Sequence, residues 1–128
     1  MLAVSAIVEK KGRVLLCKRP AQGAFPGWWE FPTEPLEGLD TMEDALERGV
    51  FDRLSTNVDC MEPLGAADFY DGEGGRLYGF RVNLTNNFVN LCGYDAFKWV
   101  KINDLRKKGL FRPCVMFVNM LKKYFENL

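Results

Sequence analysis

The chain has 128 residues, the length of one ordinary domain, and 48% of them are hydrophobic against 27% charged, which excludes a disordered chain. Lys+Arg and Asp+Glu both number 17, so net charge supplies no pull toward nucleic acid. His is absent, which excludes His-based triads, bases and metal ligands.

Leu2 to Val8 is almost continuously apolar and predicts a buried strand. Lys10-Lys11-Gly12 marks a turn, and Arg13 to Arg19 predicts the returning strand. Pro20 to Gly27 is a loop. Trp28 to Phe31 predicts a short aromatic strand stopped by Pro32, and Thr33 to Asp40 reads as irregular. A helix is expected from Thr41, where Thr41 and Asp44 form a capping-box pattern. Met42, Leu46, Val50 and Leu54 supply its core stripe. Gly49 lies inside it and costs roughly 1 kcal/mol relative to Ala, so something must require it.

Val58 to Tyr70 looks extended, and Asp71 to Gly75 reads as a hairpin tip. Tyr78, Phe80, Val82 and Leu84 alternate as a half-buried strand, and Phe97 to Ile102 forms another. Asn103 to Leu105 begins a short turn. Pro113 starts a last helix whose apolar face is Cys114, Phe117, Val118, Leu121 and Phe125. The pattern predicts a single α+β domain over residues 1–128. Cys17, Cys60, Cys92 and Cys114 form no C-x-x-C pair, so reduced core thiols are expected. No apolar run is long enough to span a bilayer, and no secretory leader is visible, so a cytoplasmic protein is expected.

Lys18-Arg19-Pro20, then Gly27-Trp28-Trp29-Glu30-Phe31-Pro32, then a loop and a charged helix, resemble the MutT branch of the Nudix family. The family box, G-x5-E-x7-R-E-U-x-E-E-x-G-U with U aliphatic, aligns without a gap from Glu34 to Thr56. The resemblance implies an α/β/α sandwich with a mixed sheet packed between helices. It also implies a hydrolase of nucleotide diphosphate bonds that works with Mg2+ or Mn2+. Such hard cations take oxygen ligands, and glutamates at i, i+3 and i+4 of a helix can gather around one.

The box departs from the family at its metal positions. Arg48 is kept, but the next Glu is Gly49, and the Glu pair is Asp52-Arg53. The first Gly is Glu34, the early Glu is Asp40, and the closing pair is Ser55-Thr56. An Arg beside a cation site repels the cation, and Arg53 is expected to pair with Asp52. The resemblance assigns Asp52 and Arg48 to catalysis. It assigns Asp52, Glu34 and Asp40 to the metal if the enzyme is active. Arg19, Phe31 and Trp29 fall to a nucleotide-like small molecule. MutT-type enzymes read oxidised guanine with an Asn near the start of the last helix, where this chain has Val115, and an apolar side chain makes no such hydrogen bond.

Three functions of different class follow. The first is a domain that binds a nucleotide or nucleoside-diphosphate derivative with weak or no hydrolysis and no required metal. The second is an active Mg2+-dependent pyrophosphohydrolase. The third is an interaction scaffold on the same fold. Neither a membrane nor a nucleic-acid partner is indicated, and the sequence does not specify an oligomeric state.

Overall fold

The run Leu2–Lys10 becomes strand β1 because it is covered on both faces. Val4, Ala6 and Val8 face one apolar cluster, while Ala3 and Ile7 face another. A strand alternates its side chains, so two covered faces demand an uninterrupted apolar run. The computed structural model describes residues 2–69, 74–86 and 88–127, leaving aside the side chain of Phe69. The elements that follow β1 are β2 (Arg13–Lys18), β3 (Trp29–Glu30), β4 (Thr33–Pro35) and helix α1 (Met42–Leu54). Then come β5 (Val58–Phe69), β6 (Gly75–Leu84), β7 (Ala96–Lys101), a short 3-10 turn (Ile102–Asp104) and helix α2 (Arg112–Glu126). Most of the expected hairpin tip, residues 71–73, lies outside the described residues.

The strands form one mixed sheet. Its central path is β3-β2-β1-β6-β5, with β4 added to β1 and β7 to β2. β1 and β6 run parallel, and every other pairing is antiparallel. Helix α1 covers one face through Ala45, Leu46, Val50 and Leu54. Helix α2 covers the other through Cys114, Phe117, Val118 and Leu121. The result is the expected α/β/α sandwich, with both helical stripes placed as their periodicity required.

One pairing overturns an expectation. β1 and β2 pair only beside their turn, at Glu9↔Val14 and Lys10↔Arg13, and then diverge. Residues 29–35 fill the wedge between them. β3 pairs with the far end of β2, and β4 pairs with the start of β1 at Ala3↔Pro35, Val4↔Glu34 and Ser5↔Thr33. Between these, the Ala6 amide donates to the Pro32 carbonyl at 2.8 Å. Thr33–Pro35 is therefore a strand and not irregular chain. Its Pro and Glu give no local strand signal, and the partner 30 residues earlier imposes the conformation.

Helix α1 starts as its sequence dictates. Thr41 accepts from the Asp44 amide, and Asp44 accepts from the Thr41 amide, both at 3.1 Å. It ends at Ser55, whose φ of 58° is left-handed. This is the conformation that the family's closing glycine would adopt freely and that costs another residue roughly 1 kcal/mol. Cys17 and Cys114 are core thiols as expected, but Cys60 and Cys92 are exposed, and all four are free. Burial pushes the Cys17 and Cys114 thiols up to about 12, which keeps them protonated and inert at neutral pH. No helix among the described residues is long and apolar enough to cross a membrane.

Candidate functional site

A cleft of about 940 Å3 opens over the wedge, between the end of β2 and the N-terminus of α2. Its walls include Arg19, Phe25, Glu30, Arg53, Tyr94 and Phe111. The wall is built from distant segments. The Phe111 amide donates to the Trp29 carbonyl at 2.6 Å, and the Trp29 amide donates to the Gly109 carbonyl at 2.9 Å. These bonds dock the entry to α2 against β3. Phe25 and Phe111 pack with centroids 5.0 Å apart, and the Arg19 guanidinium lies 4.8 Å from the Phe111 ring. Phe25 adopts a left-handed φ of 51°, which an aromatic residue rarely takes without tertiary support.

Glu30 lies at the base of this wall and is only 3% exposed. Arg19 Nη1 donates to one of its oxygens at 2.6 Å, and the Tyr94 hydroxyl donates to the other at 2.7 Å. Burial raises the Glu30 pKa above the usual carboxylate range, while Arg19, Tyr94 and Arg53 pull it partly back. Burial also pushes the Tyr94 phenol far up, so it remains a hydrogen-bond donor. Sequence reasoning missed Glu30 as a site residue, although an acid between two aromatics and a proline was a usable signal. Tyr94 gave no signal, because its partner is 64 residues away.

The box residues form a second, adjoining cluster. Glu34 sits on β4 and its side chain crosses to α1 at Gly49. A Cβ on Gly49 would meet Glu34 Cβ at 2.6 Å. Gly49 is therefore required because Glu34 occupies the space that any side chain at that position would enter. Arg48 Nε donates to Glu34 at 2.9 Å, its Nη1 to Asp40 at 2.7 Å and its Nη2 to the Pro35 carbonyl at 3.0 Å. Arg53 Nη1 donates to the other Glu34 oxygen. Arg53 thus pairs with Glu34 and not with Asp52, which corrects the expectation. Asp52 is exposed on the helix and takes no part in this network.

These contacts set the charge states. Burial alone would raise the Glu34 pKa, but hydrogen bonds from Arg53 and Arg48 outweigh it and hold the carboxyl low. Asp40 is held low by the Glu37 amide and by Arg48. The stability these two acids supply is present above their ordinary pKa of about 4 and is lost as pH falls through the lowered values. Glu30 has the opposite sign. It binds its proton more tightly when folded, so stability falls as pH rises from the ordinary value through the raised one. The expected unfolding free energy therefore peaks on the acid side of neutrality. Glu30→Gln should flatten the limb above the peak and Glu34→Gln the limb below it. Urea titrations across pH 3–8 test this, and a free energy that rises steadily over the whole range would contradict it.

The residues singled out from the sequence separate into three places. Arg19 lines the cleft. Phe31 is fully buried in the α2-side core and is not among the residues that line the cleft. Trp29 is partly buried against the same core under Lys98, with 4.2 Å between the ammonium and its ring, and Trp28 is 43% exposed. Val115 lines the cleft. Glu34 and Asp40 are clasped by Arg48 while Asp52 stands apart. Among the described residues no three His, Cys, Asp or Glu side chains form a group that could hold a metal ion.

Residues 1–115 match the family model of the NUDIX domain. The chain belongs to the Nudix family. It is MutT-like within that family, whose hydrolases generally use a divalent metal such as Mg2+. The nucleoside triphosphatase NudI of Klebsiella pneumoniae is 27% identical over 121 residues, which span 84% of this chain and 86% of that protein. A CTP pyrophosphohydrolase of Escherichia coli is 39% identical over 51 residues, 40% of this chain and 38% of that protein. Among solved structures, a MutT NUDIX hydrolase from Burkholderia pseudomallei superposes with a TM-score of 0.84 at 20% identity, over 94% of this chain and 96% of that one. The NUDIX domain of Shewanella oneidensis NrtR, crystallised with ADP ribose, gives 0.78 at 15% identity, over 98% of this chain and 88% of that one. At such identities the two structures establish the Nudix fold and no more.

Proposed function

We propose that this Nudix domain binds a nucleotide or nucleoside-diphosphate derivative in the cleft at Arg19, with weak or no hydrolysis. One observation carries the reading: the acids that the box still brings near α1 are neutralised by the domain's own arginines. Glu34 is shared by Arg48 and Arg53, and Asp40 is taken by Arg48. A divalent cation there would have to displace guanidinium groups and sit beside two positive charges. Asp52 alone is a poor site for it. The donor set does not fit the metal. Ligand contact falls to Arg19, while Trp29 and Phe31 back the wall from the core. Arg48 serves as a clasp and not as a catalytic group. The names of the relatives above support a nucleotide-like ligand.

The expected result is thermal stabilisation by one or more nucleotides or nucleoside-diphosphate derivatives in EDTA. Release of phosphate or pyrophosphate should be no faster than in buffer, with Mg2+ or Mn2+. No stabilisation across the panel would remove the reading. An active hydrolase is favoured by Asp52 being exposed and without an ion-pair partner among the described residues, and by relatives that bear enzyme names. Turnover that Asp52→Ala abolishes would establish that alternative.

A further inference from the structure

Arg53 combines an anchor with open donors. Its side chain is 27% exposed and lines the cleft with Glu30 and Tyr94. Nη1 is fastened to Glu34, which Arg48 grips from the other side, and Arg48 is itself braced by Asp40 and the Pro35 carbonyl. The anchor is therefore fixed. Arg53 Nε and Nη2 donate to nothing within the described residues. No buried side-chain nitrogen or oxygen there lacks a partner, so both are reached by solvent. Arg19 shows the same division. Its Nη1 and Nε are taken by Glu30 and the Ala24 carbonyl, while Nη2 donates to nothing within the described residues and the side chain lines the same cleft.

A guanidinium already oriented by a carboxylate loses little entropy when its remaining N–H groups bind an anion, and its planar fork matches phosphate oxygens. We propose that Arg53, with Arg19, holds the phosphate groups of the ligand directly, so that guanidinium donors do here what a divalent cation does in metal-dependent relatives. This rests on the ligand-binding reading above and adds the means of recognition. Glu34 and Arg48 act as positioning residues that aim Arg53. Glu30 does the same for Arg19, and because both its oxygens are engaged its charge is turned inward.

The test is calorimetric titration of the intact domain with inorganic pyrophosphate, in EDTA and in excess Mg2+. Pyrophosphate should bind in EDTA, and no more tightly in Mg2+, because chelation withdraws the free anion. Arg53→Gln should weaken binding about tenfold, the loss expected for one charge-assisted hydrogen bond. Arg53→Lys keeps the charge beside Glu34 and serves if the Gln variant does not fold. It should also weaken binding severalfold, because an ammonium lacks the fork. Binding that appears only with Mg2+ overturns the proposal, as does parental affinity in Arg53→Lys. Nucleotides that still stabilise the domain in EDTA would leave the ligand-binding reading standing in that event. Silence from both pyrophosphate and nucleotides would remove both.

Discussion

Gly49→Ala lowers the stability of the domain, although the same change in most helices raises it. Helix propensity favours Ala over Gly by roughly 1 kcal/mol. Here the added Cβ would meet Glu34 Cβ at 2.6 Å and Arg53 Nη1 at 3.3 Å. The atom struck first lies next to the backbone of β4, which is hydrogen-bonded to β1, so it cannot swing aside. Overpacking of this kind costs about 1–3 kcal/mol, and the net change expected is a loss of about 1–2 kcal/mol. Gly49→Glu should lose more, about 2–4 kcal/mol, because it also places a carboxylate against Glu34 and dislodges the arginine clasp. Glu34→Gly in the same chain removes the obstruction. The double variant should recover much of the loss, with a coupling of about 1–3 kcal/mol in a cycle of urea-unfolding measurements. A Gly49→Ala protein as stable as the parent would disprove the steric account.

The second large effect concerns metal. Glu34→Gly, Gly49→Glu, Asp52→Glu and Arg53→Glu combined restore the family's helix face, where positions 49, 52 and 53 lie on adjoining turns. The restored variant should bind Mn2+ at least about tenfold more tightly than the parent and show a Mn2+-dependent rise in melting temperature. Without metal it should be less stable than the parent, because three acids repel one another and the clasp is gone. Asp52→Glu alone should change little, since Arg53 and the Glu34 clasp remain in place. Electron paramagnetic resonance titration of free Mn2+ measures both proteins. Strong Mn2+ binding by the parent would mean that the clasp opens, and the reading of a neutralised site would fall.

The sequence by itself determined the larger architecture, for local reasons. The apolar run of β1, the alternation of β6, the stripe of α2 and the Thr41 cap each report a surface that is covered or an end that is satisfied. Those demands are met within a few residues. Substitution of the box at Gly49, Asp52 and Arg53 was equally plain, because a missing carboxylate is visible in one dimension.

Tertiary structure alone decided where the remaining charges went. Helix geometry turns the adjacent side chains of Asp52 and Arg53 apart, but nothing local directs Arg53 to Glu34. The choice follows from β4 pairing with β1, which delivers Glu34 to the helix, and from Gly49, which leaves room for it. Glu30 and Tyr94 meet for the same kind of reason, across 64 residues. A carboxylate in a polar loop and one wedged between a strand and a helix have the same sequence signature. They differ only in what the fold brings within 3 Å of them, and at such distances Coulomb energy and desolvation outweigh any local preference.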